Sequence, residues 1–441
     1  MHDRAAANAS VSQVAHGSVT AFVIYGAGVG LTYCSQLVIA RIVGVDTYGV
    51  YAYVFAWMAV LGYFAALGFD VGLLRFVPAY ETERAWPLLL GVIEYAQRSA
   101  ALAGFAIGGI GICLVMASSL PPELKNTFLV GFALVPVLAL LRIRCAAIRA
   151  LGGVIWAIAP DRIVREGMLI GLIAIAGLIF GWVIDAPLVM VATLAGSGVG
   201  LACAGVALNR SQPRATAGIR PAYDLLTWRR AALPLVIIGA TEVLMNRTGV
   251  ILLGWLDKTK DAGIYNLAFN IAMVVTLPRV AVNTLFAPAI SGLHARDDKA
   301  MMQVLMTRAS SWTLCTGAII AVALYSLAEP LLGWFGPGYE AGVPALRILL
   351  IGQAITASAG SQLYVMTMTG HERAGAILLV TGALINAIAS TLLIRSFGLT
   401  GAAGGSAATL IVWNAAMAFF IWRQLKLLPG VMSSRRRFRP L

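Results

Sequence analysis

With 441 residues, 60% of them hydrophobic and 12% charged, and a mean hydropathy of +0.85, the chain is too apolar for a soluble core; lipid must cover much of its surface. The formal charge of +13 does not point to nucleic acid, because the basic residues are spread over loops between apolar segments instead of forming one patch. In hydrocarbon every backbone donor and acceptor must be satisfied within its own segment, and the apolar stretches are roughly 20 residues long, so the fold class is all-α, a polytopic membrane protein.

In chain order, residues 1–18 form a short polar lead on the cytoplasmic side, and the apolar stretch after it runs too long for a signal-peptide core and has no convincing cleavage site. Helices are expected near 19–42, 48–68, 99–119, 127–150, 154–184 and 187–208, then near 231–254, 263–286, 310–328, 344–369, 374–394 and 401–422. That makes about twelve transmembrane helices, divided into a six-helix lobe (19–208), a polar linker (209–230) and a second six-helix lobe (231–422), with a basic tail (423–441) that ends in Arg435, Arg436, Arg437 and Arg439. One set of loops carries Arg75, Arg84, Arg210, Arg214, Arg220, Arg229, Arg230, Arg296, Lys299, Arg308 and Arg373, while the other carries little beyond Lys125, Lys258, Lys260 and Arg395. The positive-inside rule therefore predicts both termini in the cytoplasm of a bacterial inner membrane.

The two halves echo each other. VGVDTYGVYAYVFAW (43–57) aligns without gaps on DKTKDAGIYNLAFNI (257–271), pairing Gly49 with Gly263, Tyr51 with Tyr265 and Phe55 with Phe269; RALGG (149–153) against MTGHE (368–372) is a weaker second match at a similar offset. With six helices per half both halves enter from the same side, which predicts a parallel duplication about an axis along the membrane normal, a plan common in transporters.

Several segments together resemble a known family: LVIARIVGVDTYGVYAYVF (37–55), GFDVGLLRFVPAY (68–80), DAGIYNLAF (261–269), LFAPAIS (285–291), FGPGYEAGVPALRIL (335–349) and NAIASTLLIRSFGLTGAAGGSAATL (386–410). In this order, over nearly the whole chain, they look like the polysaccharide transporter branch of the multidrug/oligosaccharidyl-lipid/polysaccharide exporter superfamily. The resemblance implies two lobes facing a central cavity, alternating access, and export of undecaprenyl-diphosphate-linked oligosaccharide for O-antigen, capsule or exopolysaccharide. The partners it implies are that lipid-linked oligosaccharide, membrane lipids, a proton or sodium coupling ion, and the polysaccharide polymerase and glycosyltransferases of such a pathway.

Charges at bilayer depth are the informative residues, since each is costly unless it faces a cavity or a partner. Arg142 and Arg149 share a face of the fourth helix, and PDRIVREG opens the fifth with the i,i+4 pairs Asp161–Arg165 and Arg162–Glu166. Such a cluster is either a cationic platform for a diphosphate, whose oxygens match guanidinium forks, or a helix-end group of internally paired charges. In the seventh helix Glu242 and Asn246 share a face and Arg247 follows; Arg247 is a candidate for the diphosphate and Glu242 for a proton- or sodium-linked carboxylate. Five residues of separation put Glu242 and Arg247 about 140° apart on a helix, so Arg247 is expected to find another partner. The eighth helix offers Asn266 and Asn270 on one face and Arg279 with Asn283 on another, with Pro278 able to kink it. Its asparagines, like Gln353, Gln362, Asn386 and Asn414, suit sugar hydroxyls or contacts between helices, the second use being the commoner.

Other features read as structure. Gly26, Gly28 and Gly30 lie within an apolar helix, where small residues allow close packing, and no nucleotide-binding GxxxxGK[ST] loop is present. The five cysteines have no CxxC spacing and suit packing. Trp255, Trp334, Phe335 and Tyr339 fit an interfacial aromatic belt, and Arg41 and Arg75 fit anchoring at helix ends. The sequence gives no sign of a cofactor or metal site, and the short outward loops lack the carboxylate pairs or histidines that an integral-membrane enzyme would place there. Two rivals are a cation-coupled multidrug exporter of the same superfamily, which is expected to carry an acidic residue in its first helix where residues 19–42 have none, and a peptidoglycan-precursor flippase, which resembles a fourteen-helix design.

Overall fold

The structure, a computed structural model, describes residues 2–216 and 218–430, with side chains from residue 26 onward except at 154, 178, 281, 284, 285, 287, 288 and 295. The side chains of the N-terminal lead and the terminal basic run from Arg435 to Arg439 therefore lie outside the described residues. The chain divides into two compact units, Met1–Val243 and Leu244–Leu441.

Among the described residues all regular structure is helical. Nine stretches among the described residues are long and apolar enough to cross a membrane, and two of these, Gly26–Thr82 and Glu372–Leu425, are more than twice the length one crossing needs. Each breaks at a glycine with positive φ, Gly44 (φ 76°) inside α1 (His2–Ala65) and Gly398 (φ 57°) inside α15 (Glu372–Leu425). Only a residue without Cβ takes such backbone freely, so a single glycine turns the chain from one span into the next. The fifth span is composite: α5 (Val154–Ala159), a π segment Pro160–Val164, α6 (Arg165–Ala174) and a second π segment Ile175–Ile179. Counted this way, the fold has the twelve spans read from the sequence.

The remaining helices of the first unit are α2 (Phe69–Thr82), α3 (Trp86–Met116), α4 (Pro122–Ala150) and α7 (Ala186–Ser211), and α8 (Leu225–Trp255) contains the division between units. The second unit continues through α9 (Thr259–Met273), α10 (Leu277–Ala295), α11 (Lys299–Ser326), α12 (Ala328–Gly333), α13 (Val343–Ala359) and α14 (Gln362–Met368) to α15. Several helices start earlier than their hydropathy suggested: α1 at His2 instead of 19, α3 at Trp86 instead of 99, α4 at Pro122 instead of 127, α8 at Leu225 instead of 231, and α11 at Lys299 instead of 310. In α3, polar residues such as Glu94 and Arg98 extend the helix beyond its apolar stretch. A 3-10 turn, Val274–Thr276, just ahead of Pro278 separates α9 from α10, where the proline was expected to bend the eighth span.

The fourth span is the hub of each unit. In the first unit α4 packs on α1, α2, α3 and α7; in the second, α13 packs on α9, α11 and α15. Close approach depends on small residues, as expected in lipid: a Cβ on Gly104 or Gly108 of α3 would meet α4 backbone at 2.6 and 2.8 Å, and one on Gly196 or Gly200 of α7 would meet carbonyls of Arg165 and Pro160 at 2.8 and 2.7 Å. Of the early glycines only Gly28 has this role, against Arg162; nothing lies within 4 Å of a Cβ at Gly26 or Gly30. The outer surfaces of α3 and α11 expose Leu102, Phe105, Ile110, Leu114, Ile319 and Val322.

The internal echo extends to side-chain geometry. Tyr51 stacks on Phe55 at 5.9 Å and its hydroxyl meets Thr193 Oγ1 of the sixth span at 3.2 Å; Tyr265 stacks on Phe269 at 6.0 Å and its hydroxyl meets Ser406 Oγ of the twelfth span at 2.9 Å. The fourth span of each half ends on a left-handed glycine, Gly152 (φ 83°) or Gly370 (φ 78°), one residue off the register of the weaker sequence match. Two expectations need correction. Trp255 and Trp334 are exposed, but Phe335 and Tyr339 are buried and pack on each other instead of forming an interfacial belt. Of the cysteines only Cys145 is buried.

Candidate functional site

In the first unit the C-terminal half of α4 and the start of the fifth span bring charged groups together. Arg165, directly after the first π segment, donates Nη1 to Asp161 Oδ1 and Nη2 to Glu166 Oε1, both at 2.6 Å. Ser35 of the first span donates its hydroxyl to Glu166 Oε2 at 2.5 Å, and Glu166 is only 3% exposed. Arg162 lies 3.8 Å from the second oxygen of Asp161; the expected Asp161–Arg165 pair forms, and Glu166 is engaged by Arg165.

Arg142 places its guanidinium 5.3 Å from the ring centre of Tyr63, and Arg142 and Arg149 both act electrostatically on Asp70 of α2. Asp70 Oδ1 is buried without a hydrogen-bond partner among the described residues. Cys145, between the two α4 arginines, feels Asp161, Arg149, Arg142 and Arg165 together. The structure thus gathers Arg142, Arg149, Arg162 and Arg165 with Asp70, Asp161 and Glu166, a cluster that joins the paired-charge arrangement to a cationic excess. Arg149 of this cluster is exposed. Arg144 of the same helix faces elsewhere and is engaged by Gln97 Oε1 at 3.0 Å and the Leu201 carbonyl at 2.9 Å. Glu242, exposed on α8, acts electrostatically on Tyr63, at the edge of this cluster.

The second unit has a different charge balance. Arg247 donates to Asn266 Oδ1 at 3.0 Å, which supplies the partner other than Glu242 that helix geometry called for. Asn246, Asn270 and Arg279 are half-buried, and Asn283 is bonded by Ser361. Carboxylates of this unit are confined to loops and first helical turns; Glu242, which shares α8 with Arg247, belongs to the first unit. The other amides connect helices: Asn386 donates to the Met245 carbonyl at 3.3 Å, Asn414 to Thr356 Oγ1 at 3.2 Å, and Gln353 to Met273 Sδ at 3.5 Å.

The sequence singled out four arginines and two carboxylates of the first cluster but not Ser35, Tyr63 or Asp70. Ser35 is one hydroxyl in an apolar window and Tyr63 one aromatic among many, without a distinguishing pattern. Asp70 lay in a stretch read as a loop; its signal was FDVGLLRFVPAYET, which has enough apolar residues at helical spacing to form α2. No group of His, Cys, Asp and Glu among the described residues is arranged to hold a metal ion.

No protein-family model and no curated protein matches the chain. Solved structures do. The chain is similar to a multidrug resistance MATE family transporter of the MOP superfamily in its inward-facing conformation, with a TM-score of 0.74 at 13% identity over 90% of this chain and 93% of that one. An outward-facing structure of a transporter so described aligns with a TM-score of 0.65 at 14% identity, covering 93% and 95% of the two chains. The Vibrio cholerae MATE transporter VcmN aligns with a TM-score of 0.62 at 17% identity over 93% and 98%. At these identities the likeness shows the fold: an all-helical membrane protein with the MATE transporter architecture along nearly its full length.

Proposed function

We propose that the chain is a membrane exporter working by alternating access, and that its cargo carries an anionic head group, as undecaprenyl-diphosphate-linked oligosaccharide does. The observation that carries the substrate class is the second unit's charge: Arg247 and Arg279 stand half-buried within spans, while the unit's own carboxylates lie in loops and first helical turns. An arginine held within a membrane span is costly and suits a phosphate that arrives with the substrate. Arg142 and Arg149 offer the same chemistry in the first unit, and the family-like motifs of the sequence agree.

A second reading, a cation-coupled multidrug exporter, has the stronger support from the comparisons, because the neighbours are described as multidrug transporters. The first span lacks an acid, yet Ser35 in it binds the Glu166 carboxylate, and Asp70 and Asp161 lie in the same unit.

Proteoliposomes separate the two. The flippase reading expects translocation of a fluorescent undecaprenyl-diphosphate-linked oligosaccharide, lost in Arg247→Ala and in Arg142→Ala/Arg149→Ala at equal insertion. A protein inert toward lipid-linked sugars that moves tetraphenylphosphonium against a proton or sodium gradient belongs to the second reading instead.

A further inference from the structure

At the end of α4 away from Arg149, about 40 Å along a helix of this length, the first unit holds a cavity of about 770 Å³. It lies between the Gly44 turn, the first turn of α4 and the loop before α7, on the end that the distribution of basic residues places outward. Its volume falls within the range of small-molecule sites.

The lining has a definite chemistry. Glu123 and Asn126 stand one turn apart on α4, Asp185 and Trp182 come from the loop before α7, and Thr47 adds a hydroxyl. Asp185 uses Oδ1 to cap α7 through the Leu188 amide at 3.0 Å, which leaves its second oxygen for a ligand. No lysine or arginine is among the described lining residues, and nearby Lys125 is turned to the carbonyls of Met116 and Ser118 at 3.1 and 3.3 Å. Two carboxylates without a cation repel phosphates and uronates. They accept hydrogen bonds from hydroxyls, while Asn126 and Thr47 donate as well as accept. An organic cation could use only the acceptors and the indole; a sugar ring uses acceptors, donors and, through its C–H face, the indole of Trp182.

We propose that this cavity is a docking site for neutral, hydroxyl-rich glycan at the outward end of the first unit. This rests on the lipid-linked oligosaccharide reading, and it separates tasks: arginines bind the anionic head group, while the acidic cavity receives uncharged sugar and disfavours acidic repeat units.

The test is saturation-transfer NMR on the full chain in nanodiscs with lipid-free neutral hexose trisaccharides, their uronic counterparts and tetraphenylphosphonium. Neutral trisaccharides are expected to bind, uronic ones at least tenfold more weakly, and both Asn126→Ala and Trp182→Ala to weaken the neutral sugars at least tenfold. Thermal unfolding checks that each variant folds, and the exposed Asn126 provides the variant with the least structural burden. Neutral sugars that bind equally to wild type and both variants, or not at all, overturn the site; so does tetraphenylphosphonium binding that depends on Trp182 without sugar binding. If the wild type flips lipid-linked oligosaccharide while free sugar ignores Trp182 and Asn126, the cavity inference fails and the transport reading stands. If sugar binds there but no lipid-linked oligosaccharide moves, the site stands and the transport reading falls.

Discussion

Ser35 and Glu166 tie the first span to the fifth: the serine hydroxyl donates to one carboxylate oxygen at 2.5 Å while Arg165 takes the other at 2.6 Å. With the glutamate buried, each partner limits the cost of keeping its charge in a low-dielectric site. Ser35→Ala is expected to lower stability by about 1 kcal/mol, the scale of hydrogen bonds between membrane helices. Glu166→Ala should cost more, about 3 kcal/mol, because Arg165 loses one of its two carboxylates. A double-mutant cycle in detergent-solubilised protein checks the pair; zero coupling energy would mean that the contact contributes nothing.

Much of this fold was legible because membrane physics writes it into composition. Twelve apolar stretches and the match of Tyr51 and Phe55 with Tyr265 and Phe269 announced the spans and the duplication, and the structure adds the paired hydroxyl contacts to Thr193 and Ser406. Helix starts were less visible where polar residues such as Glu94 and Arg98 continue a helix past its apolar part, since a hydropathy window registers apolarity and not helix length. The site was legible only in its charges. Arg142, Arg149, Asp161 and Arg165 stand out in apolar sequence, and the Asp161–Arg165 pair is local, but the contacts of Ser35 with Glu166, 131 residues apart, and of Arg142 with Tyr63 depend on which helices pack together.

Asn266 accepts from Arg247 at 3.0 Å within the second unit. Replacing it with aspartate would give the arginine a permanent carboxylate of its own and remove the positive charge offered to an anionic substrate. Asn266→Asp is therefore expected to reduce transport of a diphosphate-linked cargo about tenfold or more while leaving the melting temperature equal or higher. Transport assays on Asn266→Asp and Asn266→Ala decide it: equal activity in both would show that the charge on Arg247 does not meet the cargo.

The packing of α3 on α4 makes a sharp contrast between two glycines of one helix. A Cβ on Gly104 would meet Pro136 Cα at 2.6 Å, whereas nothing lies within 4 Å of one on Gly109. Gly104→Ala should push the helices apart and cost about 1–3 kcal/mol. Gly109→Ala should be neutral or stabilise by about 0.5 kcal/mol, since alanine restricts the unfolded chain and favours helix. Unfolding both variants in parallel tests the interface, and similar stability for the two would refute the close approach.

The linker 209–230, which runs into the start of α8, is held against α2 and α3 within the first unit. The Ala222 amide donates to the Pro87 carbonyl at 2.9 Å, the buried Trp228 donates Nε1 to the Tyr80 hydroxyl at 2.9 Å, and Arg229 Nε donates to the Tyr95 hydroxyl at 2.6 Å. Removing the last acceptor with Tyr95→Phe should raise the population of locally opened linker, and trypsin cleavage at Arg214 and Arg220 should accelerate severalfold if opening is fast relative to cleavage. Tyr223 adds a pH signature. Its hydroxyl donates to Glu94 Oε2 at 3.0 Å, and that bond to a carboxylate pushes the phenol pKa above its ordinary 10.0. The protonated phenol is the bonded form, so its contribution is complete below pH 10.0 and is lost as pH rises through the raised value. The phenolate absorbance of wild type minus Tyr223→Phe should therefore titrate with a midpoint above 10.0; a midpoint at or below that value would show that Tyr223 does not hold the linker through Glu94.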